Sequence, residues 1–266
     1  MIEPGSPPPR TPPPPPEGGQ ISTGEGGSVS HRRGQWGHSL SSRGLDLLRA
    51  YRDAAHYGLH LLPAGLRLDG LVVDVGANIG EFTSVIRRLE PTSRVLAFEP
   101  SPEIRAGLEA RFAGDSRVTI DRHALSDRAV VAEFNVAAES VFSSLLPMRA
   151  ESADLYASYG VGIASRPTVE TARLDDLVTE PVRVLKIDVQ GNEIPLLAGA
   201  ERTLAQTDAV LIELMLVSQY EGDATFFELH PRMLELGFML RSLGPVDIIE
   251  GRGMWMDGCY VPVLRR

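Results

Sequence analysis

Val73-Asp74-Val75-Gly76-Ala77-Asn78-Ile79-Gly80 is the stretch that decides the fold. An apolar run, Leu71 to Val73, leads into it and a helical pattern, Phe82 to Leu89, leads out, so it reads as a buried strand turning sharply into a helix. Gly76 and Gly80 supply backbone that takes positive φ or admits a ligand closely, and the helix behind them offers unpaired N–H groups. A second apolar run, Val95 to Phe98, ends in Glu99, a carboxylate suited to accept the hydroxyl protons of a ribose. Strand, glycine turn, helix, strand and acid make one βαβ unit of a nucleotide-binding sheet.

Charge narrows the nucleotide. A dinucleotide fingerprint, G-x-G-x-x-G, requires glycine where Asn78 and Glu81 stand, so an NAD-dependent oxidoreductase is the weaker reading. Asp74 and Glu81 bring carboxylates to a turn that would otherwise cradle an anionic pyrophosphate. A ligand carrying an ammonium and a sulfonium suits such a turn better, and S-adenosylmethionine is one. The competing account of the same residues is a helix-packing turn at Gly76 and Gly80 with Glu99 as a solvated strand end. The three in register favour the ligand.

Further along, Ala97-Phe98-Glu99-Pro100, Ala124-Leu125-Ser126-Asp127 and Leu185-Lys186-Ile187-Asp188-Val189-Gln190-Gly191 follow in order. With Asp74 to Gly80 they resemble the FkbM family of S-adenosylmethionine-dependent methyltransferases, over roughly residues 70 to 240. The resemblance implies a Rossmann-like class I methyltransferase fold: an α/β, doubly wound sheet of seven strands with the last strand antiparallel. It implies that Asp74, Gly76, Asn78 and Gly80 hold the methionine portion of the cofactor, Glu99 the ribose, and Ser126 with its neighbours the adenine. It also implies O-methylation of a small acceptor, a sugar or a glycosylated or polyketide natural product.

The catalytic candidates are Asp188 and Glu213. Asp188 ends the expected fourth strand, Val182 to Ile187, and Glu213 lies near the end of the fifth, Val210 to Leu214, so both sit at the rim where α/β enzymes place their chemistry. Sequence-adjacent strands tend to neighbour each other in space. A hydroxyl attacking a methyl must lose its proton, so two carboxylates there divide into base and orienter, or both bind a divalent cation such as Mg²⁺. Asp188 is the first choice for the base; its alternative role is a cap on the following turn. Metal use stays open, because two carboxylates lack a third placed ligand.

The flanking sequence sets the boundaries. Residues 1–40 are rich in Pro, Gly and Ser and read as a disordered tail; if the protein were a non-catalytic interaction module, this tail would be its ligand. Residues 41–69 read as a helical lead-in, with apolar positions from Leu45 to Leu62 at helical spacing. Residues 70–266 read as the catalytic domain, carrying a β-hairpin and loop insertion near 128–174 in which Tyr156 and Tyr159 are candidates to meet a ring-shaped acceptor. The formal net charge of −9 argues against a nucleic-acid partner. Without a signal-like h-region or a bilayer-length apolar run, the expectation is a cytoplasmic enzyme. One cysteine, Cys259, leaves no intramolecular disulfide and suggests a buried, inert thiol.

Overall fold

The computed structural model describes residues 55 and 57–263. The expected tail and most of the expected helix from Leu45, including His56, lie outside the described residues. Strand β1 (Leu71–Val75) runs through the glycine turn into helix α1 (Glu81–Leu89), then β2 (Arg94–Phe98), α2 (Pro102–Phe112) and β3 (Val118–Asp121). The insertion comprises β4 (Ala124–Leu125), β5 (Val131–Glu133), β6 (Val136–Ala137), α3 (Ala150–Leu155), β7 (Ile163–Ser165) and β8 (Thr168–Ala172). The chain resumes as α4 (Leu174–Leu177), β9 (Val182–Ile187), α5 (Glu193–Ala198), α6 (Glu201–Leu204), β10 (Thr207–Met215), α7 (Phe226–Glu235), β11 (Phe238–Ile249) and β12 (Arg252–Pro262).

Seven strands form the main sheet in the order β11-β12-β10-β9-β1-β2-β3. Strand β12 alone runs against its neighbours, pairing antiparallel with both β10 and β11. This is the class I methyltransferase arrangement, with the last strand antiparallel as expected. Every residue of β1 is buried, as a central parallel strand between two helical layers requires. Alternate residues feed separate cores. Val73, Val75, Leu185 and Ile187 pack with Leu196, Leu197, Leu229 and Met233, whereas Val72, Val184 and Leu211 pack with Phe82, Val85 and Ile86 of α1 and with Leu59 and Leu61.

Local chemistry fixes the element ends. Ser101 caps α2 by accepting from the Ile104 N–H at 3.4 Å, with Pro102 at the first helical position. Thr225 and Glu228 close a capping box on α7, and Gly237 (φ 81°) ends it. His230, in α7, contacts the Tyr260 hydroxyl at 3.0 Å and stacks on Phe226, a packing role rather than a catalytic one. Cys259 is fully buried, and burial pushes its thiol up to about 11, where it is inert at neutral pH.

Two features differ from what the sequence suggests. The final hairpin is longer than its apolar runs suggest: Trp255 and Met256 lie within β12, which pairs with β11 through bulges. The hairpin turns at Glu250-Gly251, both at positive φ, an Xaa-Gly hairpin turn that the charged, glycine-rich sequence disguises. The insertion is built of antiparallel pairs, β5 with β8 and β6 with β7, and Ser144 bridges to Asn135. Tyr156 is fully buried among Phe142, Val161, Met254 and Trp255, so it fills a core instead of meeting an acceptor. No helix among the described residues is long and apolar enough to cross a membrane.

Gly76 is where the architecture tolerates least. It has φ 74°, and a Cβ built on it would lie 1.8 Å from the Asp188 carbonyl oxygen. Gly237 also has positive φ but faces open space. The Gly76→Ala variant should lose more than about 3 kcal/mol of stability or fail to accumulate, whereas Gly237→Ala should lose about 1 kcal/mol, the cost of left-handed backbone alone. Chemical denaturation of both variants checks this, and equal losses would show that the Asp188 carbonyl can retreat.

Candidate active site

The register of β1 and β9 builds the site. Val75 stands opposite Ile187, so Gly76 and Asp188 leave the sheet side by side, and the Asp188 N–H donates to the Val75 carbonyl at 3.1 Å. Strand order reverses between β1 and β9, which makes their C-terminal ends the switch point where doubly wound sheets bind ligands. A cavity of about 660 Å³ opens there. On the β2 and β3 side it is lined by Gly76 to Ile79, Phe98 to Pro100 and His123 to Leu125. On the β10 and β12 side lie Lys186 to Gln190, Glu213, Met215, Gln219, Trp255 and Asp257. Glu139 to Ser143 and Leu145 of the insertion, with Tyr57 and His60, complete it.

Glu99 sits 4% exposed at the end of β2, with Oε2 accepting from the Asn78 N–H at 3.0 Å and Oε1 from the Ser101 N–H at 2.9 Å. Burial pushes its carboxyl up to about 7, against the pull of those two backbone donors and of Arg105 and Lys186. His123 follows β3, its Nδ1 2.7 Å from Asp121 Oδ1, and it too borders the cavity.

Lys186 is the hub of the other half. Its Nζ donates to the Gly76 carbonyl at 3.1 Å and lies 3.4 Å from Asp188 Oδ2 and 3.6 Å from Asp74 Oδ1. Burial pulls its pKa down, but Asp188 and Asp74 outweigh that and lift it to about 12, so it stays charged. Glu213, on β10 next to β9, has its carboxyl pushed up by burial first and then by Asp188, Asp257 and Glu193, which favours the neutral acid. Gln190 joins the pair: its Nε2 donates to Asp188 Oδ1 at 2.8 Å and to Glu213 Oε2 at 2.9 Å.

The sequence candidates therefore divide. Gly76, Asn78, Glu99, Asp188 and Glu213 border one cavity. Asp74 does not: it is fully buried, accepts from Thr83 Oγ1 at 2.7 Å and reaches the cavity only through Lys186. Gly80 does not: a Cβ there would meet Leu108 at 2.5 Å and Phe112 at 2.6 Å, so this glycine admits α2 rather than a ligand. Ser126 does not, although Ala124 and Leu125 before it do; its carbonyl instead occupies the space a Cβ at Gly199 would need. Lys186 and Gln190, which tie these acids together, are residues that pattern reading left without a role. A lysine two residues before the terminal acid, in a strand apolar except for Arg183, was the available signal. Among the described residues no group of three or more acids, histidines or cysteines is placed to hold a metal, and the gap between Asp188 and Glu213 is bridged by the Gln190 amide.

Two turns carry left-handed non-glycine residues, Asn78 (φ 48°) and Gln190 (φ 53°), each costing about 1 kcal/mol or more. One short segment of the insertion fastens both: Ser140 Oγ donates to Asn78 Oδ1 at 3.0 Å and Ser144 Oγ to the Gln190 carbonyl at 2.6 Å.

Residues 74–240 match the methyltransferase FkbM domain model, which is more than half the chain. The chain belongs to this family. Among curated relatives it is 28% identical over 164 residues to the 2-O-methyltransferase NoeI of Sinorhizobium fredii, covering 58% of this chain and 67% of that protein. It is 33% identical over 160 residues to the 31-O-demethyl-FK506 methyltransferase FkbM of Streptomyces tacrolimicus, covering 51% and 61% of the two chains. The crystal structure of the methyltransferase FkbM from Methylobacillus flagellatus shares the fold at TM-score 0.50 and 15% identity, over 77% of this chain and 47% of that one. The match thus spans under two thirds of the Streptomyces relative and about half of the Methylobacillus chain. Family membership identifies residues 74–240 as a methyltransferase domain and sets the oxidoreductase reading aside.

Glu193, behind the Gln190 turn, is 1% exposed with Oε2 unbonded, and burial pushes its carboxyl from 4.5 up to about 7. A raised acid stabilises the fold fully below its unfolded pKa and loses that contribution as pH rises through the folded value, on the order of 3 kcal/mol here. Melting temperature should therefore fall between pH 5 and 8, and Glu193→Gln should flatten the fall; an unaltered slope in the variant would reject the assignment.

Proposed function

We propose that this protein is an S-adenosylmethionine-dependent O-methyltransferase acting on a hydroxyl of a small acceptor, a sugar or a glycosylated or polyketide-derived compound. One observation carries the reading: Glu99 and Asp188 border a single cavity at the sheet's switch point, one suited to a ribose and the other to a hydroxyl about to react. The donor set fits the cofactor. Both Glu99 oxygens are steadied by backbone N–H groups and retain lone pairs for a diol. Asp74 and Asp188 bring two carboxylates against the one ammonium of Lys186, a balance that suits a cationic ligand. The volume is ample for a cofactor with a small acceptor.

When bound, S-adenosylmethionine supplies an electrophilic methyl group. Glu99 would hold the ribose hydroxyls, Gly76 to Asn78 the methionine portion, and His123 to Leu125 the adenine. Asp188 would receive the proton of the acceptor hydroxyl, and Glu213, neutral, would stay out of that exchange and hold Gln190. Lys186 keeps Asp188 beside the turn and balances its charge. A divalent cation has no assigned part, because the Gln190 amide already occupies the place between the carboxylates. Support for O-methylation comes from the names of the NoeI and FkbM relatives, and the net charge of −9 favours a small acceptor over a nucleic acid.

Calorimetric titration should show S-adenosylhomocysteine binding and no comparable NAD binding, with Glu99→Ala weakening the former at least about tenfold, the scale of a lost charge-assisted bond. Tighter NAD binding would overturn the cofactor assignment. Asp188→Asn should retain S-adenosylhomocysteine but lose about a hundredfold or more in turnover on hydroxylated glycosides, the usual worth of a general base. Full turnover in that variant would remove Asp188 from the mechanism.

A further inference from the structure

We propose that Gln190 is a positioning residue for methyl transfer: its amide fixes Asp188 and Glu213 relative to each other and ties both to the cavity wall formed by the insertion. The assignment rests on the methyltransferase reading above. Four polar contacts converge on this one side chain and its carbonyl. Nε2 donates to Asp188 at 2.8 Å and to Glu213 at 2.9 Å, Oε1 accepts from the Tyr220 hydroxyl at 2.8 Å, and the backbone carbonyl accepts from Ser144.

The amide's orientation follows from chemistry. Tyr220 is buried, and burial with Glu213 and Asp188 nearby pushes its phenol up, so it keeps its proton and donates. The oxygen of Gln190 must then face Tyr220, which turns both N–H bonds toward the two acids. A carboxamide is the neutral group that offers two donors on one side and an acceptor on the other. The backbone beneath it is left-handed at φ 53° in a residue other than glycine, a conformation retained at a cost in free energy. Tyr220 also points its hydroxyl at the Phe142 carbonyl, 3.3 Å away, so the same network reaches the insertion by two routes.

The charged and titratable groups around the pair are Lys186 on β9, Glu193 on α5, Asp257 on β12, and Tyr156 and Tyr220 from the surrounding loops. Among these groups Lys186 alone opposes the accumulated negative charge. The N–H bond that Gln190 gives to Glu213 adds to this opposition without adding charge and favours the ionised form of that acid. Removing it should make Glu213 hold its proton more tightly.

The test uses the full chain and the variants Gln190→Met, which keeps length and loses both donors, and Tyr220→Phe, which loses only the hydroxyl. The infrared carboxyl stretch, assigned to Glu213 by its loss in Glu213→Gln, is titrated against pH, and S-adenosylhomocysteine binding is measured in parallel. We expect the midpoint in Gln190→Met to rise by about one unit or more, a tenfold gain in proton affinity, with S-adenosylhomocysteine affinity within about threefold of the parent. Tyr220→Phe should shift it in the same direction by less, and the double variant should match Gln190→Met alone, since Tyr220 acts through Gln190. An unmoved midpoint in Gln190→Met with binding retained would overturn the assignment. Should that variant fail to fold, an unmoved midpoint in Tyr220→Phe would overturn it equally. A parent that binds no S-adenosylhomocysteine would defeat the cofactor reading, while the titration would still decide whether Gln190 governs the acid pair.

Discussion

A lysine ammonium among two carboxylates and a carbonyl holds the ends of β1 and β9 together, and the site depends on that contact. Lys186 is 15% exposed, and a charge so placed is costly unless its donors and its field are answered. Asp74 and Asp188 answer the field, and the Gly76 carbonyl accepts one donor. In return the lysine holds three backbone neighbourhoods: the middle of β1, the glycine turn and the end of β9. The order of the sheet then does the rest, because those are the two strands between which the winding reverses.

Around this centre the protein separates two kinds of acid. Burial raises both, but Glu99 is drawn back by backbone donors on the β2 side, whereas Glu213 is pressed further toward neutrality by other acids on the β10 side. Asp188, between them and 35% exposed, meets the cavity with one oxygen near Lys186 and the other on Gln190. Placing carboxyl groups in unlike surroundings is the general means by which one protein assigns them unlike tasks.

Much of this was legible in the residues. Glycines at 76 and 80, acids at 99, 188 and 213, and buried strands with helical segments between them fix a doubly wound sheet and its rim, because periodicity and turn chemistry act locally. What stayed hidden depends on who meets whom across the sheet. Asp74 looked like a cofactor ligand because it precedes the glycine turn, yet strand alternation turns it toward Thr83 and Lys186, onto the face that α1 covers. Gly80 and Gly76 look alike in sequence; one yields space to Leu108 and Phe112, the other to the Asp188 carbonyl. Gln190 reads as an ordinary turn residue until Tyr220, thirty positions on, is brought beside it. The long final hairpin escaped because Gly244, Pro245 and Gly253 imitate loop composition inside strands whose bulges accommodate them.

The insertion fastens to Asn78 through Ser140 and to Gln190 through Ser144. Those two anchors make the intervening Val141-Phe142-Ser143 a spacer of set length between the turn beside Glu99 and the turn beside Asp188. Changes of length within it would pull one turn against the other. The chain beyond is braced separately: the Arg149 N–H donates to the Gln219 carbonyl, Met148 bridges to Tyr220, and Tyr156 packs with Met254 and Trp255. The insertion is therefore tied at one end to the two turns and at the other to the β10 and β12 side, so the separation of the cavity's halves is set twice over.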